Sequence, residues 1–203
     1  LEAHYHTEFK DDPAEVHQLD RLRNRWAHGL VHDAILTLPR GSKVLEVGAG
    51  IGRDTAIVAE EGMVVTETDI SLGALRASRG VTGRAEVEYV AADADTLPFQ
   101  DASFDGAYMI AALHHVPDPR VAIREIARVV RSGGVVAVVI EPNRTWHALM
   151  KGLRPLLCRA SKTAAHGGSV ADEELTGFRK TDLIQLFASA GLKVDRVVPV
   201  WFL

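Results

Sequence analysis

The run Lys43-Val44-Leu45-Glu46-Val47-Gly48-Ala49-Gly50-Ile51-Gly52 decides how this sequence folds. Its first half, Val44 to Val47, is a short apolar strand bounded by a turn signal. Its second half places a glycine at every other position, so the backbone can bend tightly and approach a ligand with no side chain in the way. A helix follows, to about Glu61. Strand, glycine turn and helix in that order open a βαβ unit.

The alternation continues downstream. Met63 to Thr66 reads as a second strand, and Ser71 caps a helix through Arg79. Val87 to Ala91 is a third strand, and Gly106 to Ile110, introduced by Asp105, a fourth. Val121 to Val130 is an amphipathic helix: Ala122, Ile123, Ile126, Ala127 and Val130 share one face, while Arg124, Glu125, Arg128 and Arg131 cover the other. Gly133-Gly134 stops it, and Val135 to Ile140 is a fully apolar fifth strand. Short strands that are apolar on both faces and separated by helices predict an α/β fold, with a doubly wound, mostly parallel sheet covered by helices on both faces.

Upstream, Asp12-Pro13-Ala14-Glu15 reads as a helix start. Val16, Leu19, Leu22, Trp26 and Leu30 then recur at helical spacing, with Ile35 and Leu38 carrying the face towards Pro39. Pro142 to Phe178 is irregular. Leu183, Leu186, Phe187 and Ala190 form a last helical face stopped by Gly191, and Leu192 to Val200 reads as a sixth strand.

The 203 residues suit one domain. A 47% hydrophobic and 25% charged composition is that of a globular protein, and the net charge of −4 gives no basic surplus for nucleic acid. Cys158 is the only cysteine, so no intrachain disulfide or cysteine-clustered zinc site forms, and a reducing, cytoplasmic setting is expected. The longest apolar runs fall far short of the ~18 residues of a membrane span. The first residues lack a signal-peptide profile. The sequence begins with Leu1 rather than Met, so further residues are expected before it.

In doubly wound folds the ligand lies beyond the carboxyl ends of the strands, where the strand order reverses. Asp69 falls at the end of the second strand, about 20 residues on from the first, where a carboxylate accepts hydrogen bonds from a ribose diol. A dinucleotide loop reads G-x-G-x-x-G. Counted from Gly48 its third glycine would be Arg53, and counted from Gly50 it would be Thr55, so neither frame fits.

Val44 to Gly52 resembles the first motif of the class I S-adenosylmethionine-dependent methyltransferases. Ala92-Asp93-Ala94 before Leu97-Pro98-Phe99 is similar to that family's adenine-binding stretch. Phe104-Asp105, the segment Leu113-His114-His115-Val116-Pro117-Asp118-Pro119, and Val130-Arg131-Ser132-Gly133-Gly134 resemble its later motifs in the same order. The subgroup most alike is the small-molecule, type 11 kind that includes quinone-biosynthesis methyltransferases. The resemblance is strong from about Lys43 to Glu141.

The resemblance implies S-adenosylmethionine as cofactor and S-adenosylhomocysteine as product. It implies that backbone at Gly48, Ala49, Gly50 and Gly52 approaches the methionine and ribose parts, and that Glu46 helps hold the methionine ammonium. Asp69 takes the ribose hydroxyls, Ile70 packs beside the adenine, Asp93 accepts from the adenine amino group near the Ala94 N–H, and Ala111 faces the methionine end. One domain over residues 1–203 then divides into an N-terminal helical segment (1–40), a cofactor-binding core (41–141), an acceptor-binding insertion (142–180) and a last helix and strand (181–203). The family's sheet also has a seventh strand, antiparallel between the fifth and sixth. Nothing after Leu203 builds it, so continuing residues, or another subunit at that edge, are expected.

Methyl transfer from a sulfonium is an in-line displacement in which holding the partners in line does most of the work. A general base is needed only if the acceptor has a proton to lose. His114 and His115 follow the fourth strand, either as a base or as loop structure. Glu141 ends the fifth strand, to orient or deprotonate an acceptor or to cap the next turn. His28 and His32 stand four apart on a helix, a metal-ligand spacing without a third ligand. The competing reading is a surface or half-buried pair, and no metal is expected. Trp146, Leu149, Met150, Leu153 and Leu157 make a stripe flanked by Lys151, Arg154, Arg159 and Lys162. It reads as a helix packed on the sheet, or as a lid over an apolar, anionic or lipid-like acceptor at a membrane surface, an idea that Pro155 interrupts.

The expected partner is a small-molecule acceptor and not nucleic acid. Ile110-Ala111-Ala112-Leu113 stands where a base methyltransferase carries Asn/Asp-Pro-Pro-aromatic. The alternatives are a non-catalytic protein that binds the cofactor and a nicotinamide-dependent oxidoreductase.

Overall fold

The computed structural model describes residues 18–83, 86–139 and 177–198. Five strands, β1 (Lys43–Val47), β2 (Val64–Asp69), β3 (Val87–Ala91), β4 (Phe104–Ile110) and β5 (Val130–Val139), form one sheet in the order β3-β2-β1-β4-β5. Every neighbouring pair is parallel. The order reverses between β1 and β4, which makes that cleft the switch point of a doubly wound sheet. The helices are α1 (Gln18–Ile35), α2 (Arg53–Glu60), α3 (Leu72–Thr82), α4 (Pro119–Val129) and α5 (Lys180–Ser189).

Successive strand residues point to opposite faces, and each face is covered. Val44, Val65 and Tyr108 pack with Val31 and Ile35 of α1, Leu38, and Val58 of α2. Leu45, Val47, Ala107 and Met109 pack with Ala122, Ile123, Ile126 and Val129 of α4 and with Leu186 of α5. Full burial of such a side chain stabilises by about 1.5–3 kcal/mol.

The α1 face holds at Ile35 and Leu38 as expected, but over Trp26 and Leu30 it is one position from the predicted one. Ala27, Val31, Ile35 and Leu38 are buried, whereas Trp26 is 50% exposed and Leu30 only half-buried. One residue turns a helix face by about 100°, and the smaller side chains are those that fit against the sheet. Asp12 to Val16, and the side chains of Leu19 and Leu22, lie outside the described residues. Leu38 and Ile35 sit beside Gly106 near the start of β4. From there α1 climbs backwards in sequence towards the carboxyl ends of the strands.

Other boundaries move for local reasons. β2 runs to Asp69 rather than stopping at Thr66, because Thr66, Glu67, Thr68 and Asp69 are buried although polar. β4 begins at Phe104, and α4 begins at Pro119 with Asp118 as its cap, the Asp118 carboxylate accepting from the Arg120 N–H at 2.9 Å. Ser71 caps α3 as expected, accepting from the Ala74 N–H at 3.2 Å. Gly133-Gly134 do not precede the fifth strand but lie inside it, within a register shift between Phe104↔Val130 and Gly106↔Val135. A Cβ on Gly134 would stand 2.5 Å from the Asp105 carbonyl oxygen, so this glycine lets the bulged strand lie against β4. The sixth strand is not formed over residues 192–198. An extended segment becomes a strand only with a neighbour to take its backbone hydrogen bonds. Glu141, the Trp146 stripe, Cys158 and residues 199–203 lie outside the described residues.

Candidate cofactor site and active site

The glycine turn leaves β1 with three left-handed residues, Gly48 (φ +72°), Gly50 (φ +56°) and Gly52 (φ +72°). It is latched onto the tip of β2. The Gly48 and Ala49 N–H groups both donate to the Thr68 carbonyl, at 2.9 and 3.0 Å. The Gly50 N–H donates to Asp69 Oδ2 at 2.8 Å, and the Ser71 N–H donates to Asp69 Oδ1 at 2.7 Å. Asp69 therefore fixes the turn as well as facing the rim, with charge-assisted hydrogen bonds that are roughly twice as strong as neutral ones. A Cβ on Gly50 would meet nothing within 4 Å, so the middle of the turn faces open space. A Cβ on Gly52 would lie 1.9 Å from Ser78 Oγ and 2.9 Å from Glu67 Oε2, so the end of the turn is packed into the protein.

Asp69 pairs in register with Ala91, and the Ala92 N–H donates to the Asp69 carbonyl at 3.2 Å. Asp93 thus stands just past the neighbouring strand tip, on the same rim as Asp69. It is exposed and closes a tight turn, its Oδ1 accepting from the Asp95 N–H at 3.1 Å and its carbonyl from the Thr96 N–H at 3.0 Å. Ala94 is half-buried there. Beside Asp69, Ile70 and Leu72 leave large apolar side chains 57% and 58% exposed. Across the switch point, Ala111 follows β4 with φ +50° and donates its N–H to the Val139 carbonyl at 2.9 Å. A non-glycine residue held there stores about 1–3 kcal/mol, a strain that clusters at functional sites. His114 and His115 follow in one 3₁₀ turn, Leu113–His115, half-buried, with ring centroids 4.1 Å apart.

Beneath the turn is a row of buried polar side chains. Glu46 pairs in register with Glu67 on one side and Tyr108 on the other. Glu46 is 2% exposed and Glu67 fully buried. Glu46 Oε2 accepts from the Tyr108 hydroxyl at 2.8 Å and from the Thr55 hydroxyl of α2. Burial pushes the Glu46 carboxyl up to about 8 against the pull of those two hydroxyls, with the Asp54 and Glu67 charges adding to the rise. Glu67 Oε2 accepts from the Ser78 hydroxyl at 2.6 Å, and burial likewise raises its carboxyl. Of this row the sequence points only to Glu46. The signal for Glu67 is a carboxylate in mid-strand with β-branched neighbours, Val65, Thr66 and Thr68.

A family model for a methyltransferase domain matches residues 45–138. The demethylmenaquinone methyltransferase of Renibacterium salmoninarum is 33% identical over 175 residues, covering 82% of this chain and 72% of that protein. This chain belongs to the class I S-adenosylmethionine-dependent methyltransferases. O-methyltransferase cnsE of Penicillium expansum is 34% identical, with 98% of this chain and 69% of that one covered. A methyltransferase structure from Methanosarcina mazei superposes with a TM-score of 0.61 at 27% identity, over 79% of this chain and 82% of its own. The chain spans about half the length of several other curated relatives. Membership in this family sets the nicotinamide-dependent alternative aside.

The methyltransferase also carries a contact between α1 and the turn that sequence reasoning missed. Asp54, in the first turn of α2, accepts from His28 Nδ1 at 2.8 and 3.0 Å and from His32 Nε2 at 2.9 Å. The two histidines are half-buried, within the competing reading, and they clasp a carboxylate two residues beyond Gly52 rather than awaiting a third ligand. Burial raises the Asp54 carboxyl, but the two histidine hydrogen bonds outweigh it and bring it to about 2. Among the described residues no group of three or more His, Cys, Asp or Glu side chains is arranged to hold a metal. Among them, too, no helix is long and apolar enough to cross a membrane.

Proposed function

We propose that this methyltransferase binds S-adenosylmethionine over the glycine turn and methylates a small, apolar acceptor. The observation that carries the reading is the turn itself, open above Gly50 and pinned from behind by Asp69. Asp69 and Asp93 line one side of that opening from neighbouring strand tips, for a ribose and an adenine amino group, and Ile70 offers an apolar surface for the ring. Glu46 answers the methionine ammonium, and the Ala111 backbone borders the same end. Asp54 and Asp69 beside the turn make the neighbourhood electronegative, which suits a ligand carrying both an ammonium and a sulfonium.

When bound, the cofactor supplies a methyl group on a sulfonium, which departs as a neutral thioether. The task left to the chain is orientation: the latched turn holds the donor, and residues past β4 and β5 hold the acceptor in line. His114, His115 and Glu141 are the candidates to take a proton from a hydroxyl acceptor. The demethylmenaquinone methyltransferase relative supports a quinone-type acceptor and the O-methyltransferase relative an oxygen acceptor, and a cytoplasmic enzyme that meets apolar substrates at a membrane surface is consistent with the first.

The test is calorimetric titration with S-adenosylmethionine, S-adenosylhomocysteine and NADH. The first two bind and NADH does not. Asp69→Ala weakens binding roughly ten- to a hundred-fold, the loss of hydrogen bonds to a charged group at ~1.5–3 kcal/mol. Unchanged affinity in that variant removes Asp69 from the site. Transfer of labelled methyl to a quinol or phenol panel then separates an enzyme from a non-catalytic binder.

A further inference from the structure

Glu46 and Glu67 lie side by side on β1 and β2, both buried beneath the open glycine turn, on the face covered by α2 and α3. Adjacent strands are about 4.8 Å apart, so the two carboxyl groups share one small space. Their described partners are hydroxyls: Thr55 and Tyr108 for Glu46, and Ser78 for Glu67. The Thr55 hydroxyl is also within reach of Glu67. Among the described residues Glu67 Oε1 has no hydrogen-bond partner. Two buried carboxylates in one space cannot both ionise cheaply, so their protons belong to the pair.

Among the described residues, the charged groups whose contacts are seen on the surrounding elements do not relieve them. Asp54 of α2 and Asp69 of β2 are negative and act on the pair unfavourably. His28 and His32 of α1 are directed at Asp54. Arg79 of α3 lies 4.9 Å from the ring of Tyr89 on β3, whose hydroxyl meets Thr82. Tyr108 of β4 is held in its neutral form by burial and by Glu46 itself. Arg53 of α2 is exposed.

We propose that Glu46 and Glu67 act as one unit that carries a single shared proton while the cradle is empty and releases it to solvent when the ligand's ammonium reaches Glu46. The inference rests on the function proposed above and adds Glu67 to it as a positioning residue that acts through Glu46. No bond other than the carboxyl O–H breaks; the proton passes to buffer, and the new carboxylate charge is balanced by the ammonium.

The probe is S-adenosylhomocysteine, which keeps the ammonium and lacks the sulfonium. Titrated at pH 7 in buffers of different ionisation enthalpy, the wild-type chain releases about one proton per ligand, and affinity rises about tenfold per pH unit between pH 6 and 7. Methylthioadenosine, which has no ammonium, binds with no release. Glu67→Gln removes the like charge and leaves the burial of Glu46, so release falls but does not vanish and the pH slope becomes shallower while the ligand still binds; release and slope unchanged in that variant overturn the role of Glu67. Binding of S-adenosylhomocysteine with equal enthalpy in every buffer overturns the shared proton and leaves the proposed function standing. Equal release with methylthioadenosine overturns it too, by placing the proton elsewhere. Failure of S-adenosylhomocysteine to bind at all overturns the proposed function and this inference together.

Discussion

Glu46 and Asp54 stand close together and respond to acid in opposite senses. In the folded chain burial raises the Glu46 carboxyl to about 8, against an ordinary value of 4.5, so the Glu46–Glu67 pair keeps a proton well above the ordinary carboxylate range. Its stability contribution is whole below the unfolded value and is lost as pH rises from there through about 8, because only the unfolded chain gives up the proton. Glu46→Gln cannot ionise. It is expected to be more stable than wild type at pH 8 by roughly 1–3 kcal/mol, to lose that advantage near pH 4, and to bind cofactor more weakly. Thermal melts across that range check the sign, and an advantage that grows towards acid refutes it. Asp54 runs the other way: its folded value of about 2 lies below the ordinary 3.8, so its contribution is complete above about pH 4 and lost as pH falls through 2. Asp54→Asn should cost about 2 kcal/mol at pH 7 in urea unfolding and flatten the acid limb. These two residues also mark how far sequence reading reached. Glu46 sits within a motif and was legible with its neighbours Gly50 and Asp69. The Asp54 clasp was not, because His28 and Asp54 are 26 positions apart and nothing local ties them.

At the scale of the element, the glycine turn separates folding from binding. Gly50 and Gly52 are both left-handed, and an L-residue there costs about 1–2 kcal/mol. Beyond that cost they differ. Gly50→Ala projects its methyl into open space, so the variant should melt within a few degrees of wild type yet lose most cofactor affinity, since the methyl fills the cradle. Gly52→Ala drives a methyl onto Ser78 Oγ and towards Glu67, so it should be strongly destabilised before any ligand is added. Paired melts and titrations decide the matter; a Gly50→Ala protein that binds normally means the ligand does not lie over this turn. The same contrast explains what periodicity fixed and what it did not. The third strand, Val87–Ala91, matched to the residue. β2 was cut short because Glu67 and Thr68 look like a loop until tertiary packing buries them. Gly133-Gly134 looked like a stop because a bulge and a turn use the same residue type. The expected strand over Leu192 to Val200 has the right composition, but composition does not supply the neighbour that a strand needs.

For the whole molecule, the rim sets how ligand binding feeds into stability. A ligand lying over Gly50 touches the tips of β1, β2 and β3 on one side of the switch point and of β4 on the other, and α1 is tied to the same place through Asp54. Binding therefore links elements that meet in the chain only through the sheet, and unfolding any one of them releases the ligand. At a hundredfold excess over Kd, a ligand that binds only the folded state adds about 2.7 kcal/mol. For a chain of this length each kcal/mol moves the midpoint by about 2–4 °C, so S-adenosylhomocysteine should raise Tm by about 5–10 °C. NADH at equal concentration should leave it unmoved, and Asp69→Ala should erase most of the gain. Amide exchange tells where the energy enters. Gly50, Ser71 and Ala111 exchange through local opening of the rim and should slow first. Amides of α5, which packs against α4 on the other face, open by routes that leave the ligand in place and should slow least. A ligand that slowed α5 and left Gly50 unchanged would place the site on the opposite face of the sheet and overturn the cradle.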